Sequence, residues 1–355
     1  MSPTFENLKP SQIAIPAGEL IAVSGANGFM GSHVCDQLLH LGYRVRGIVR
    51  NKERGAWLVN YFEEKYGPEM FELAQVPDMT VPRSCDDAVS GAYGVVHVAA
   101  DTSLELNPDV VIPRIIATAM EVARSAANSH TCRRFVYTSS SSAVTDPEPG
   151  TTRTLTQDTF NDQVMAHAYS KNLPGGVVGG HTVYAAGKTK AEQELWRWYG
   201  ETSPEFALNV VIPSPCFGQS LCPAQQGYSA ANRVLKMLWD GDDSDDVANA
   251  FTAQWFCEVK NVSTLHVGAL LLSDVKSERL FAYATRFTIN DILSIFRNTS
   301  PGKKFRNDVA DTKPDRTEVP NKRSGEVLRL INVPRWTTLK ECLEGLVKQW
   351  SGMSD

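Results

Sequence analysis

Leu20-Ile21-Ala22-Val23-Ser24-Gly25-Ala26-Asn27-Gly28-Phe29-Met30-Gly31 is the stretch that decides the fold. An apolar run of strand length, Leu20–Val23, leads directly into three glycines, and these lead into Phe29–Leu41, where Val34, Cys35, Leu38 and Leu39 recur at helical steps. Strand, tight turn and helix in that order bring backbone N–H groups and a helix dipole to one point, where a pyrophosphate is held. Gly25 permits the turn, Gly28 lets backbone approach phosphate, and Gly31 lets the helix lie close on the sheet. Asn27, Phe29 and Met30 belong to the same turn. The spacing is GxxGxxG rather than GxGxxG, so the weight rests on the context, not on the glycines alone.

Outward from this unit, short apolar runs alternate with amphipathic segments. Strands are expected at Tyr43–Val49, Phe71–Val76, Gly94–Val98, Phe135–Thr138 and Ala207–Ile212, and helices at Pro108–Ala127 and Val183–Tyr199. This alternation predicts an α/β fold, a doubly wound parallel sheet of the Rossmann type. After Ile212 the rhythm loosens through Pro213-Ser214-Pro215 and Pro223, with shorter elements up to an amphipathic helix near Thr338–Trp350. Residues 1–212 are therefore read as mainly the nucleotide-binding domain and 213–355 as mainly a smaller substrate-binding lobe, some of whose segments return to the first domain. Five aspartates in Asp240–Asp246 lack the glycine and glutamate of a calcium loop and read as a solvated loop.

The end of the second strand selects the cofactor. NAD binding usually places a carboxylate there for the adenosine ribose. This chain has Arg50 instead, followed by Asn51, Lys52 and Arg54, a cationic group suited to a 2′-phosphate, so NADPH is expected. Lys52 and Arg54 read equally well as the exposed face of the next helix. By topology, Asp78-Met79 after the third strand and Val98-Ala99-Ala100 after the fourth join the same site, the carboxylate for the adenine amino group and the small residues for the ribose.

The chemistry is expected at Val183-Tyr184-Ala185-Ala186-Gly187-Lys188. A separation of four puts Tyr184 and Lys188 on one helical face, where an ammonium near a phenol stabilises phenolate and readies it to exchange a proton with a carbonyl oxygen. Thr138-Ser139-Ser140-Ser141-Ser142 ends the fifth strand, where a hydroxyl can donate to a developing alkoxide. The physics of the sequence does not choose among these serines.

Gly25 to Gly31, the Arg46–Arg50 strand end, Thr138-Ser139-Ser140 and Tyr184-Ala185-Ala186-Gly187-Lys188 together resemble the extended short-chain dehydrogenase/reductase superfamily. The likeness is nearest to its dihydroflavonol-reductase-like branch and to yeast and fungal NADPH-dependent carbonyl (aldehyde) reductases, and runs through nearly the whole chain. The resemblance implies that Ser140 is the catalytic serine, Tyr184 the proton donor and Lys188 its partner and the holder of the nicotinamide ribose. It further implies a phosphate site at Gly25 to Gly31, a 2′-phosphate contact at Arg50, and Pro213 and Ser214 beside the nicotinamide. The glycine-rich Lys171–Gly180 departs from the pattern and reads as a substrate lid or an ordinary surface loop. Ser141-Ser142 also departs from it: sugar 4,6-dehydratases typically put an acidic pair there.

The expected reaction is NADPH-dependent reduction of a ketone or aldehyde, with Tyr184 protonating the oxygen that Ser140 polarises. Rival readings are a hydroxysteroid dehydrogenase, a nucleotide-sugar epimerase or dehydratase, and a redox sensor without chemistry. Substrate contacts are expected from Thr102–Leu104, the residues before Tyr184 and Cys216–Tyr228. Over 355 residues, 35 basic against 40 acidic side chains give a net charge of −5, which argues against nucleic acid and anionic membrane partners. Seven cysteines without a CxxC pair, histidines without shared spacing, no apolar run of membrane length and no leader pattern point to reduced thiols, no metal site and a cytoplasmic monomer or homodimer acting on a small carbonyl compound.

Overall fold

The computed structural model describes residues 3–352. Its strands are β1 (Leu20–Ser24), β2 (Arg44–Val49), β3 (Phe71–Gln75), β4 (Gly94–His97), β5 (Arg134–Thr138), β6 (Ala207–Pro213), β7 (Cys216–Phe217), β8 (Gln254–Glu258), β9 (Arg279–Ala282) and β10 (Thr285–Phe287). Its helices before β6 are α1 (Phe29–His40), α2 (Lys52–Tyr66), α3 (Asp86–Val89), α4 (Pro108–Asn128), α5 (Val164–Ala168) and α6 (Gly176–Thr202). Beyond them lie α7 (Pro223–Gln226), α8 (Ala230–Asp240), α9 (Asp245–Asn249), α10 (Val259–Leu271), α11 (Ile289–Thr299), α12 (Lys322–Leu330) and α13 (Leu339–Trp350). No helix among the described residues is long and apolar enough to cross a membrane.

Seven strands form one parallel sheet in the order β3-β2-β1-β4-β5-β6-β9. The apolar runs are nearly continuous because both faces are covered, and alternate residues enter alternate cores. Ala22, Tyr137 and Val210 pack with α4 and α6, while Ile21, Val23, Val136 and Val211 pack with α1, α2 and α10. Consecutive strands leave β1 in opposite directions, to β2 on one side and β4 on the other, which opens a crevice beyond their carboxyl ends.

Two features depart from the sequence reading. Residues 176–180 are neither lid nor loop: α6 begins at Gly176, seven residues before Val183, so Tyr184 stands well inside a helix. The glycines there make room for backbone, since a Cβ on Gly179 would stand 1.8 Å from the Pro174 carbonyl oxygen and one on Gly180 would stand 2.0 Å from that of Leu104. The short β9, not expected from the sequence, extends the sheet beyond β6.

After β6 the chain serves two cores. α10 returns to the sheet, burying Val262, Leu265 and Ala269 with α1. β10, β8 and β7 form a second, three-stranded sheet whose core of Phe217, Trp239, Phe256, Phe296 and Leu343 is closed by α8, α11 and α13. Ser244 caps α9 within the aspartate run, and Thr338 with Glu341 forms a capping box on α13.

Candidate active site

The glycine turn is built as its spacing predicts. Gly25 has a φ of 68°, in the left-handed region. A Cβ on Gly31 would stand 2.1 Å from the Gly25 carbonyl oxygen, so no other residue lets α1 approach this closely. Gly28 is the N-cap of α1 and brings no side chain to its first turn, which leaves N–H groups free for an anion. Asn27, Phe29 and Met30 flank it, each half-buried. Ser24 Oγ accepts from the N–H groups of Val98 and Ala99, both at 3.1 Å, and is 2.7 Å from His97 Nδ1. These bonds bring Val98-Ala99-Ala100 to the rim of the turn. From the lobe, Gln226 Nε2 donates to Ser32 Oγ at 3.2 Å, so part of Cys216–Tyr228 covers the glycine turn.

Arg50 lies exposed just past β2. Asn51 caps α2 by accepting the Arg54 N–H at 2.9 Å, which sets Lys52 and Arg54 in the first turn, also exposed. Among the described residues none of the three cationic side chains has an acidic partner, whereas Arg46 on the same strand pairs with Glu72 at 2.6 Å. Cations at a helix N-terminus oppose the dipole, so their placement favours an anion arriving there. Together with the space at Gly25, Gly28 and Gly31, these residues could hold a 2′-phosphorylated dinucleotide. Asp78 accepts the Thr80 hydroxyl at 2.6 Å and its N–H at 2.8 Å; these bonds hold the carboxyl below its ordinary range and fix its direction. Met79 beside it is buried.

Ser140, Tyr184 and Lys188 come together where β5 ends against α6. Ser140 Oγ is 2.8 Å from Ser142 Oγ and caps the short turn Ser141–Ala143. Burial raises the Tyr184 phenol above its ordinary value, and the neighbouring Ser140 hydroxyl pulls it the other way. One turn on, Lys188 is 2% exposed and donates to the Thr138 carbonyl at 2.6 Å and to Tyr137 Oη at 2.8 Å. Burial draws its ammonium down to about 7, with the Glu192 carboxylate opposing. Both close acceptors of the Lys188 ammonium are on β5, and burial is the main influence on the Tyr184 phenol.

Pro213 ends β6, and Ser214 after it is buried, its hydroxyl donating to the Ala282 carbonyl at 3.0 Å. A narrow cleft beside Ser140 is lined by Ser141, Thr145, Ser214, Pro215, Trp255 and Tyr283. The Tyr283 hydroxyl there is buried without a hydrogen-bond partner. A larger cavity of about 560 Å³ lies elsewhere, among Phe160, Gln193, Trp196 and Arg279, away from the serine and tyrosine. Thr102–Leu104 meets the start of α6 through the Leu104 backbone at Gly180.

Sequence reasoning passed over Glu192. It is wholly buried, accepts the Ser139 hydroxyl, and pairs with Arg279 Nε at 2.6 Å. Its signal was available: it stands four residues after Lys188, as Lys188 stands four after Tyr184. Trp255 and Tyr283 carried no comparable signal, because only the chain's folding brings them into the cleft with Ser141.

The chain matches the profile of the NAD dependent epimerase/dehydratase family over residues 21–238. Aldehyde reductase 2 of Sporidiobolus salmonicolor is 33% identical over 341 residues, covering 96% of this chain and 98% of that one. Ketoreductase adrE of Penicillium rubens is 34% identical over 340 residues, covering 93% and 96%. Gre2 from Candida albicans, solved in complex with NADPH, shares the fold with a TM-score of 0.78 at 21% identity, covering 96% of this chain and all of that one. A profile match across most of the chain, together with relatives of this similarity along nearly its full length, shows that the chain belongs to the NAD dependent epimerase/dehydratase family.

Proposed function

We propose that the protein is an NADPH-dependent carbonyl reductase that converts a ketone or aldehyde to an alcohol. The observation that carries this reading is the convergence of Ser140, Tyr184 and Lys188 where β5 meets α6, at the same carboxyl ends of the strands as the glycine turn. The names of the two relatives, an aldehyde reductase and a ketoreductase, support the same class.

NADPH, when bound, supplies a hydride to the carbonyl carbon. Its diphosphate would be held by Gly25, Asn27, Gly28, Phe29, Met30 and Gly31, its 2′-phosphate by Arg50, and its adenosine half by Asp78, Met79 and Val98 to Ala100. Lys188 would hold the nicotinamide ribose, with Pro213 and Ser214 beside the ring. Ser140 donates a hydrogen bond to the carbonyl oxygen and polarises it. Tyr184 gives its proton to that oxygen as the carbon is reduced, so the product is a neutral alcohol and the phenolate is left to be reprotonated. A phenol raised by burial keeps its proton until the oxygen becomes basic enough to take it, which suits a donor better than a base. Lys188 then stabilises the phenolate.

The test is an NADPH-oxidation screen over aromatic ketones, keto esters, aldehydes and polycyclic ketones, repeated with Tyr184→Phe. The variant should lose about 10²–10⁴ in kcat and still bind NADPH. Normal turnover by Tyr184→Phe, or no NADPH oxidised with any of the panel, would overturn the proposal. Net release of NADP⁺ separates a reductase from an epimerase, which returns its cofactor unchanged.

A further inference from the structure

Tyr137, on β5, is 1% exposed and has no part in the reaction just described. Its hydroxyl oxygen lies 2.8 Å from Lys188 Nζ, and its ring centroid 4.3 Å from the same nitrogen. An ammonium has three N–H groups. The Tyr137 hydroxyl and the Thr138 carbonyl take two of them, both from β5, and one is left. On its other side the Tyr137 ring stacks on His97, with centroids 5.8 Å apart and planes 19° from parallel. His97 in turn meets Ser24, which receives the Val98 and Ala99 N–H groups at the glycine turn. One row of buried side chains thus spans β5, β4 and β1 from the lysine to the phosphate turn.

We propose that Tyr137 is a positioning residue: its hydroxyl, acting with the Thr138 carbonyl, anchors the Lys188 ammonium so that the third N–H is free for the cofactor ribose while the positive charge stays beside the Tyr184 phenolate. The inference rests on the roles given above to Tyr184 and Lys188, and adds the group that acts through the lysine. The charged and titratable groups around Lys188 are few. Glu192, one turn along α6, favours the ammonium; Tyr184 stands one turn before it; Tyr137 faces it from β5; and His97 on β4 is kept neutral by burial, which lowers it to about 3. Burial has already brought the ammonium close to neutral pH, so the loss of one acceptor shows in its charge state. A hydrogen bond to a charged group changes an equilibrium by about tenfold or more. Without it the charged form is disfavoured, and the lysine titrates about one pH unit lower.

Tyr137→Phe removes only the acceptor, keeping the ring and its stacking. NADPH affinity, measured by fluorescence titration across a pH series, should lose its alkaline limb about one unit earlier than in the wild type. At neutral pH kcat for the best carbonyl substrate should fall about tenfold, with the melting temperature within about 2 °C of wild type. An unmoved alkaline limb overturns the proposal, whether or not kcat falls, because a merely structural effect would lower kcat without moving the limb. Should the phenylalanine variant not fold, 4-fluorophenylalanine incorporated at Tyr137, whose fluorine fills the place of the hydroxyl but is a very weak acceptor that does not ionise, must move the limb in the same direction, and an unmoved limb overturns the proposal there as well. Tyr184→Phe run in parallel separates two failures. If it retains turnover, the proposed reaction is wrong; if it is inactive while Tyr137→Phe behaves as wild type, only the role of Tyr137 is wrong.

Discussion

Glu192→Gln should destabilise the protein far more than its nearly unchanged shape suggests. Glu192 is 0% exposed and its carboxylate serves three donors: the Ser139 hydroxyl, Arg279 Nε at 2.6 Å and, more distantly, Trp196 Nε1 at 3.4 Å. An amide has one acceptor oxygen, so either Ser139 or Arg279 then faces an NH₂ group. Arg279 has little access to water: it is 8% exposed at the wall of the 560 Å³ cavity, donates to the Gln157 and Thr159 carbonyls at 2.5 and 2.9 Å, and lies 4.0 Å from the Phe160 ring centroid. Its charge would remain buried and unpaired, which costs about 3–5 kcal/mol. Against a total stability of about 5–15 kcal/mol the variant still folds, with a melting temperature lowered by roughly 5 °C. Calorimetry and urea unfolding measure both. Adding Arg279→Met to Glu192→Gln removes the stranded charge and should recover at least half of the loss. A single variant that loses less than about 1 kcal/mol, or a double variant as unstable as the two single losses combined, would refute the reasoning.

Arg50→Asp should shift the kcat/KM preference for NADPH over NADH by about 100-fold, since it removes a charge-assisted bond to the 2′-phosphate and puts a repelling carboxylate in its place; an unchanged preference in steady-state kinetics would show that Arg50 does not read the phosphate. Acidification should destabilise the fold. Burial lowers His33 and His266 to about 4 and His97 to about 3, below their unfolded value, so the unfolded chain takes up protons first as pH falls through about 6.5. Stability is therefore complete above that pH and drains below it, by roughly 6 kcal/mol for the three between about pH 7 and about pH 5. Glu258, raised by burial to about 7, works the other way and returns roughly 2 kcal/mol, leaving a net loss of roughly 4 kcal/mol. Urea midpoints that coincide at the two pH values would contradict this.

What was legible in the sequence is what local spacing encodes. Three glycines, phased against a strand and a helix, fixed both the turn and the side of the sheet where ligands lie; Tyr184 and Lys188, four apart, fixed a helical face. What was not legible depends on partners distant along the chain. Nothing in the residues around Tyr137 marks it as the acceptor for a lysine 51 positions away, and nothing near Glu192 announces Arg279, 87 positions away. The start of α6 was misread for a different reason. Each glycine lowers helix propensity by about 1 kcal/mol, so a run of them reads as loop. Close backbone packing against Pro174 and Leu104 overrides that preference, because at Gly179 and Gly180 a better helix former would collide with those carbonyls.

The same long-range packing explains why the chemistry falls where it does. Tyr184, Lys188 and Glu192 stand one turn apart on one face of α6, and each meets a different part of one strand end: Ser140 meets the phenol, Tyr137 and Thr138 the ammonium, Ser139 the carboxylate. A slide of the helix by one turn, about 5.4 Å, would carry all three to wrong partners together. Gly187, between Tyr184 and Lys188, limits such movement. A Cβ there would stand 2.6 Å from Ile115 Cδ1 on α4, so the two helices touch at the point where no side chain intervenes. α4 and α6 cover the sheet as one layer, and their shared core includes Ile115, Val183, Ala185, Ala186 and Tyr137 itself. The distance between phenol, ammonium and serine is therefore set by a helix–helix contact and a buried strand. The lobe and the loops around the cleft are free to differ in shape without disturbing Ser140, Tyr184 and Lys188.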